Sequence, residues 1–100
     1  MRRGTTPTLT FIFPFSIEGA IKDLRVTFEQ KGETKVERTL EGCEVKGEKL
    51  LVTLTQEETL GFDIDDLVRM QVKFIDFDGN VSASQIIQKS CFEILNEEIL

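Results

Sequence analysis

The chain contains no histidine, no tryptophan and no tyrosine, and only two cysteines and two prolines among its 100 residues. The missing histidine removes the commonest general base near neutral pH and the commonest metal ligand. Ser-His-Asp and Cys-His constellations are therefore excluded. Without Trp or Tyr, the core Trp and tyrosine corner of antibody domains are also missing. Cys43 and Cys91 lie far apart, have no C-x-x-C spacing, and sit near Val45 and beside Phe92. They read as two reduced, buried thiols, and a disulfide would require adjacent strands. No apolar run approaches the ~20 residues of a membrane span. Arg2 and Arg3 are not followed by the run of about seven apolar residues that a signal peptide needs, because Thr10 and Pro14 interrupt Leu9 to Phe15. The expectation is a protein without a membrane span, cytoplasmic at synthesis.

What is present is an ordinary globular composition, 40% hydrophobic and 30% charged, with a net charge of −6. One domain covering residues 1–100 is expected. Lys and Arg are scattered singly apart from the terminal Arg2-Arg3 pair, which argues against phosphate-backbone binding, so no nucleic-acid partner is expected. The acidic excess favours solubility.

Alternation dominates the pattern. Leu24, Val26 and Phe28 are interleaved with Arg25, Thr27 and Glu29, the period of a half-buried strand. Gln30-Lys31-Gly32-Glu33 reads as a hairpin turn, and Thr34 to Leu40 as the returning, more exposed strand. Cys43 to Val45 is a short strand, and Leu50 to Thr55 the next, with Leu50, Val52 and Leu54 on one face. Gln56 to Gly61 breaks the pattern. Thr55 as N-cap, Glu57 and Glu58 in the first turn and Gly61 at the end predict one helical turn joining two sheets. Leu67 to Asp76 is predicted as the longest strand. Asp78-Gly79 marks a hairpin. Val81 to Ile87 and Lys89 to Leu95 form one bent strand or two, with Phe92 and Ile94 facing the core and 96–100 as a short tail. Seven or eight short strands with Gly-centred turns predict an all-β, antiparallel, immunoglobulin-like β-sandwich.

Few residues offer chemistry. Asp63, Asp65 and Asp66 could grip a hard cation, but a solvated loop entering a strand explains them. Asp76-Phe77-Asp78-Gly79-Asn80 superficially follows the calcium-loop pattern. It fails because Gly79 precedes Asn80 and the twelfth position is Ile87 rather than Glu. A tight Asp-Gly turn accounts for it. Phe11, Phe13 and Phe15 alternate. With no basic groove beside them, they read as one buried aromatic face of a strand rather than a stacking platform. No catalytic, metal or cofactor-binding residue is expected, and the protein is read as a non-enzyme. Phe62 and Phe77 lie in turns and, if exposed, are candidates for protein contact.

The leader Met1-Arg2-Arg3-Gly4-Thr5-Thr6-Pro7-Thr8 reads as an extended arm. Pro7 biases Thr6 to extended backbone, and the threonines favour strand geometry. Thr5, Thr6, Pro7 and Thr8 are thus further candidates for protein contact, by adding to a neighbour's sheet edge, the alternative being a disordered or self-docked N-terminus. This opening resembles small prophage-encoded proteins of Gram-positive gut bacteria that begin M-[KR]-R-G-T-T-P-T. Ile21 to Gln30 is similar to that group's second strand, Leu54 to Leu60 to its T-Q-E-E-T linker, and Asp76 to Ile87 to its hairpin and following strand. The resemblance implies a non-enzymatic phage structural or assembly protein of tail, baseplate or head–tail region. It would work through protein partners in a particle or through self-association as a homo-oligomer, and be incorporated into a virion. No binding residue carries over from that group. The alternative is a small cytosolic ligand- or carbohydrate-binding β-sandwich module using the Phe residues and acidic loops.

Overall fold

The computed structural model describes residues 1, 4–63, 66–84 and 87–90, the last four as backbone only. Its strands are β1 (Thr8–Ile12), β2 (Ile21–Gln30), β3 (Glu33–Thr39), β4 (Glu44–Lys46), β5 (Lys49–Thr53), β6 (Leu67–Asp76), β7 (Val81–Ala83) and β8 (Ile87–Ser90). A 3-10 turn covers Leu40–Gly42, and one short helix, α1 (Gln56–Leu60), follows β5. All the strand pairs are antiparallel.

One sheet has the order β1-β5-β4, and the other β3-β2-β6 with β7 and β8 end to end beside β6. If β1 to β8 are named in chain order as strands B, C, C′, D, E, F and a split G, these sheets are B-E-D and C′-C-F-G. Among the described residues that is the strand order of an immunoglobulin-like sandwich, with no strand ahead of β1. The all-β sandwich follows from the alternation. Leu50, Val52 and Leu54 of one sheet and its continuation meet Val26, Phe28, Val68, Met70 and Val72 of the other in one buried cluster. Burying a side chain such as Phe28 contributes roughly 1.5–3 kcal/mol.

Strand β2 begins three residues before the visible alternation. A bulge between Ile21 and Asp23 shifts its phase, so Ile21 and Leu24 both point inward despite the odd spacing. The β2–β3 turn places Lys31 (φ 53) and Gly32 (φ 77) in the left-handed region, as a type I′ hairpin requires. The predicted cap of α1 is present as a full capping box: Thr55 Oγ1 accepts from the Glu58 N–H, and Glu58 Oε1 accepts from the Thr55 N–H. The stretch expected as one bent strand or two forms two, β7 and β8, and Ile87 and Lys89 lie together in β8 rather than on either side of a division. Lys73 pairs with Ala83 but Met70 with Ile87, so three steps along β6 face four along its neighbour. The Ser84 N–H donates to the Val72 carbonyl, and its Oγ accepts from the Val72 N–H. The expectations for Cys91, Phe92, Ile94 and the tail 96–100 fall outside the described residues.

Candidate functional site

Each sheet edge is a row of backbone donors and acceptors, and proteins normally guard such rows with charge, brevity or irregularity. Three of the four edges here are guarded. Edge strand β3 carries Glu33, Lys35, Glu37 and Arg38, and β4 is three residues long with Glu44 and Lys46. The β7–β8 edge is broken by the register slip, and β8 contains Lys89. The fourth edge, β1, reads Thr-Leu-Thr-Phe-Ile and has no charged residue.

The pairing of β1 with β5 determines which of its groups face outward. The Phe13 N–H donates to the Glu48 carbonyl and the Leu54 N–H to the Pro7 carbonyl. Odd-numbered residues therefore bond to β5, while Thr8, Thr10 and Ile12 aim their N–H and C=O at the open side. Among the described residues nothing pairs with them there. Pro14, the next residue of the same parity, has no N–H, so the donor row ends at Ile12.

Beside this edge lies a groove of about 820 Å³ at the seam between the sheets, walled by Ile12, Phe13, Phe15, Phe74 and Ser82. The expected buried aromatic strand face of Phe11, Phe13 and Phe15 is corrected: only Phe11 lies in β1 and in the core, and the series grades to the surface. Phe11 is 6% exposed, Phe13 half-buried and Phe15 45% exposed. Phe13, Phe15 and Phe74 form a mutual ring cluster with centroids 5.9–6.0 Å apart, and Phe13 meets Phe74 edge-on. Ile12, at 70% exposure, adds apolar surface at the rim. The one carboxylate on the groove wall, Asp76, is committed to the β6–β7 turn. It accepts from the N–H groups of Asp78 and Asn80 and from the Asn80 amide. The Asn80 backbone N–H, chiefly, holds it below its ordinary pKa. The groove thus offers aromatic faces and a strand edge, and its acid is already engaged.

The chain matches no protein-family model, no curated protein and no solved structure. The fold and site therefore stand on the molecule's own geometry.

The residues expected to make contacts are divided by the structure. Phe62 is a correction: at 1% exposure it is core, because the chain turns inward after α1. Phe77 is 68% exposed at the tip of the β6–β7 turn, away from the β1 edge in sequence and not on the groove wall. The arm is docked on its own domain. Thr59, fully buried, donates its hydroxyl to the Thr5 carbonyl at 2.8 Å, and the Pro7 carbonyl extends the β1–β5 ladder. Thr8 belongs to β1 itself, where its hydroxyl meets that of Thr53 at 2.8 Å.

Asp63 and Asp66 of the acidic loop lie against the end of β2. Gln30, with no exposure, donates to the Asp63 and Asp66 carbonyls and accepts from the Asp63 N–H. Lys31 places its ammonium 3.7 Å from Asp63 and 3.9 Å from Asp66. A lysine thus occupies the place where a cation would neutralise these carboxylates. Asp65 lies outside the described residues. Sequence reasoning did not single out Thr10, Ile12 or Phe74. The uncharged run from Thr8 to Phe13 was a usable signal, but which strand ends up at an open edge is not local information.

Proposed function

We propose that this protein is a non-enzymatic structural or assembly component that works by protein–protein contact. The observation that carries this reading is the uncharged β1 edge, unpaired among the described residues, beside the Phe13–Phe15–Phe74 groove. An extended strand bound there would satisfy the outward groups of Thr8, Thr10 and Ile12 while its side chains cover the rings. The resemblance of the leader and later segments to prophage-encoded proteins supports a phage setting, in the tail, baseplate or head–tail region of a particle. The test is to induce a lysogen carrying the gene and quantify the chain by mass spectrometry in purified particles and assembly intermediates. Stoichiometric recovery supports the phage reading, and absence from both fractions overturns it.

The groove itself favours one second reading, a ligand- or carbohydrate-binding module, because aromatic walls suit sugar faces. Against it, the described residues of the groove wall include no free buried polar group to orient such a ligand. Oligosaccharides that shift the ring resonances of Phe13, Phe15 and Phe74 together would favour this alternative.

A further inference from the structure

We propose that the strand added at β1 is β1 of a second copy of this chain, antiparallel about a two-fold axis through Thr10. This rests on the reading that the protein acts through this edge, and it names the partner.

Two observations select a second copy. The first is register. Only residues that aim their backbone groups outward can pair across the joint, and on this edge those are Thr8, Thr10 and Ile12. An antiparallel copy pairs all three at once in a single register: Thr8 with Ile12 of the partner subunit, Thr10 with Thr10 of the partner subunit, and Ile12 with Thr8 of the partner subunit. This makes about six backbone hydrogen bonds. Sliding by one pair toward the C-terminus brings in Pro14, which cannot donate. The second observation is charge. The chain carries a net charge of −6, which opposes any self-association, so a joint between copies must add no like-charge contact of its own. The β1 edge adds none, because Thr8 to Ile12 are uncharged, whereas β3 carries Glu33, Lys35, Glu37 and Arg38 and β4 carries Glu44 and Lys46.

The same register carries the arm to the groove. Continuing the pairing places Pro7 of the partner subunit beside Phe13 and Thr5 of the partner subunit beside Phe15. The Thr-Thr-Pro segment would then lie along the aromatic wall while still docked on its own domain. The product is a continuous six-stranded sheet, β4-β5-β1 joined to its two-fold mate. An isologous joint of this kind closes after two copies and does not propagate into a fibre.

The test combines sedimentation velocity on the full chain with register-specific cross-linking. Wild-type protein should dimerise reversibly, with dissociation on the order of tens of micromolar for so small a joint. Thr10→Lys places like charges directly opposite each other at the axis and should weaken the dimer at least ~10-fold, while the melting temperature at concentrations where the wild type is monomeric stays unchanged, since the side chain is exposed. Thr10→Cys should oxidise to a disulfide-linked dimer faster than the wild-type chain with its own Cys43 and Cys91, because hydrogen-bonded pairs hold Cα atoms at about 5.5 Å, within disulfide range. Thr8→Cys mixed with Ile12→Cys should cross-link as a heterodimer.

A dimer that survives Thr10→Lys without Thr10→Cys cross-linking uses another face and overturns the proposal. A strict monomer whose Thr10 and Ile12 amides are protected at every concentration covers the edge with its own chain, which also overturns it. If the protein is monomeric but binds a different protein through an edge that Thr10→Lys blocks, the second-copy inference fails while the contact reading stands. If neither self-association nor any such binding occurs, both fail.

Discussion

Arg38 on β3 donates a hydrogen bond to Oε1 of Glu58, the same oxygen that accepts the Thr55 N–H and closes the capping box of α1. One carboxylate thus caps the helix and ties it to the edge of the larger sheet. Both side chains are about one-fifth exposed, so solvent screens the pair only partly. Burial pushes the Glu58 carboxyl up, but the Arg38 guanidinium and the Thr55 N–H together outweigh it and hold the pKa below its ordinary value.

A carboxylate with a depressed folded pKa stabilises the fold above its unfolded pKa of about 4.3, and that contribution is lost as pH falls through the lower folded value. Glu58→Gln should therefore destabilise the protein by about 1.5–3 kcal/mol at pH 7. The difference from wild type should shrink below pH 4 in urea unfolding. A constant difference from pH 7 to pH 2 would rule out the charge as its source.

The Gln30 clamp joins the end of β2 to the loop that precedes β6. Gln30→Leu keeps the volume but strands the Asp63 N–H and two carbonyls. We expect a loss of about 2–4 kcal/mol with no change in denaturant m-value. A loss below about 1 kcal/mol would show that water replaces the amide.

Lys31 holds a left-handed conformation that Asn adopts more readily, and its ammonium faces Asp63 and Asp66. Lys31→Asn should gain stability relative to wild type as salt rises, because screening removes only the wild-type attraction. Millimolar calcium should leave the wild-type melting temperature unmoved. A rise of several degrees would instead identify these carboxylates as a cation site.

Thr59→Val removes the hydroxyl that fastens the arm while preserving shape. About 1 kcal/mol of stability should be lost. Amide exchange at Thr5 and Thr6 should accelerate more than in the β2–β6 core, and uniform acceleration would show that the hydroxyl serves global packing instead.

Phe62 and Phe77 should respond oppositely to alanine. Phe62→Ala should cost about 3–5 kcal/mol as a core cavity, and Phe77→Ala should stay within about 0.5 kcal/mol. Thermal melts of the two variants distinguish these positions directly.

Much of the fold was legible from residue order because the relevant forces are local. Alternation at Val68, Met70 and Val72 specified a strand with one buried face, Thr55 and Glu58 specified a cap, and Lys31-Gly32 and Asp78-Gly79 specified turns. The start of β2 was hidden because a bulge at Ile21 breaks the period. Phe62 was misread as a surface candidate because turns are usually exposed, and only the packing beneath α1 shows that this one is not. The leader's threonines announced an extended arm. Whether it would reach a neighbour or its own domain depended on Thr59 and Leu54, some fifty residues away.

The sequence alone therefore determined the central strands and their alternating faces, the helix cap and the absence of histidine-based chemistry, since each depends on residues within a few positions of one another. The tertiary structure decided which strand lies at an uncharged edge that no described residue pairs with, that Phe74 joins Phe13 and Phe15, and that Lys31 faces Asp63 and Asp66. Those outcomes depend on sheet order and register, which arise from burying one shared core and from contacts between residues distant in the chain.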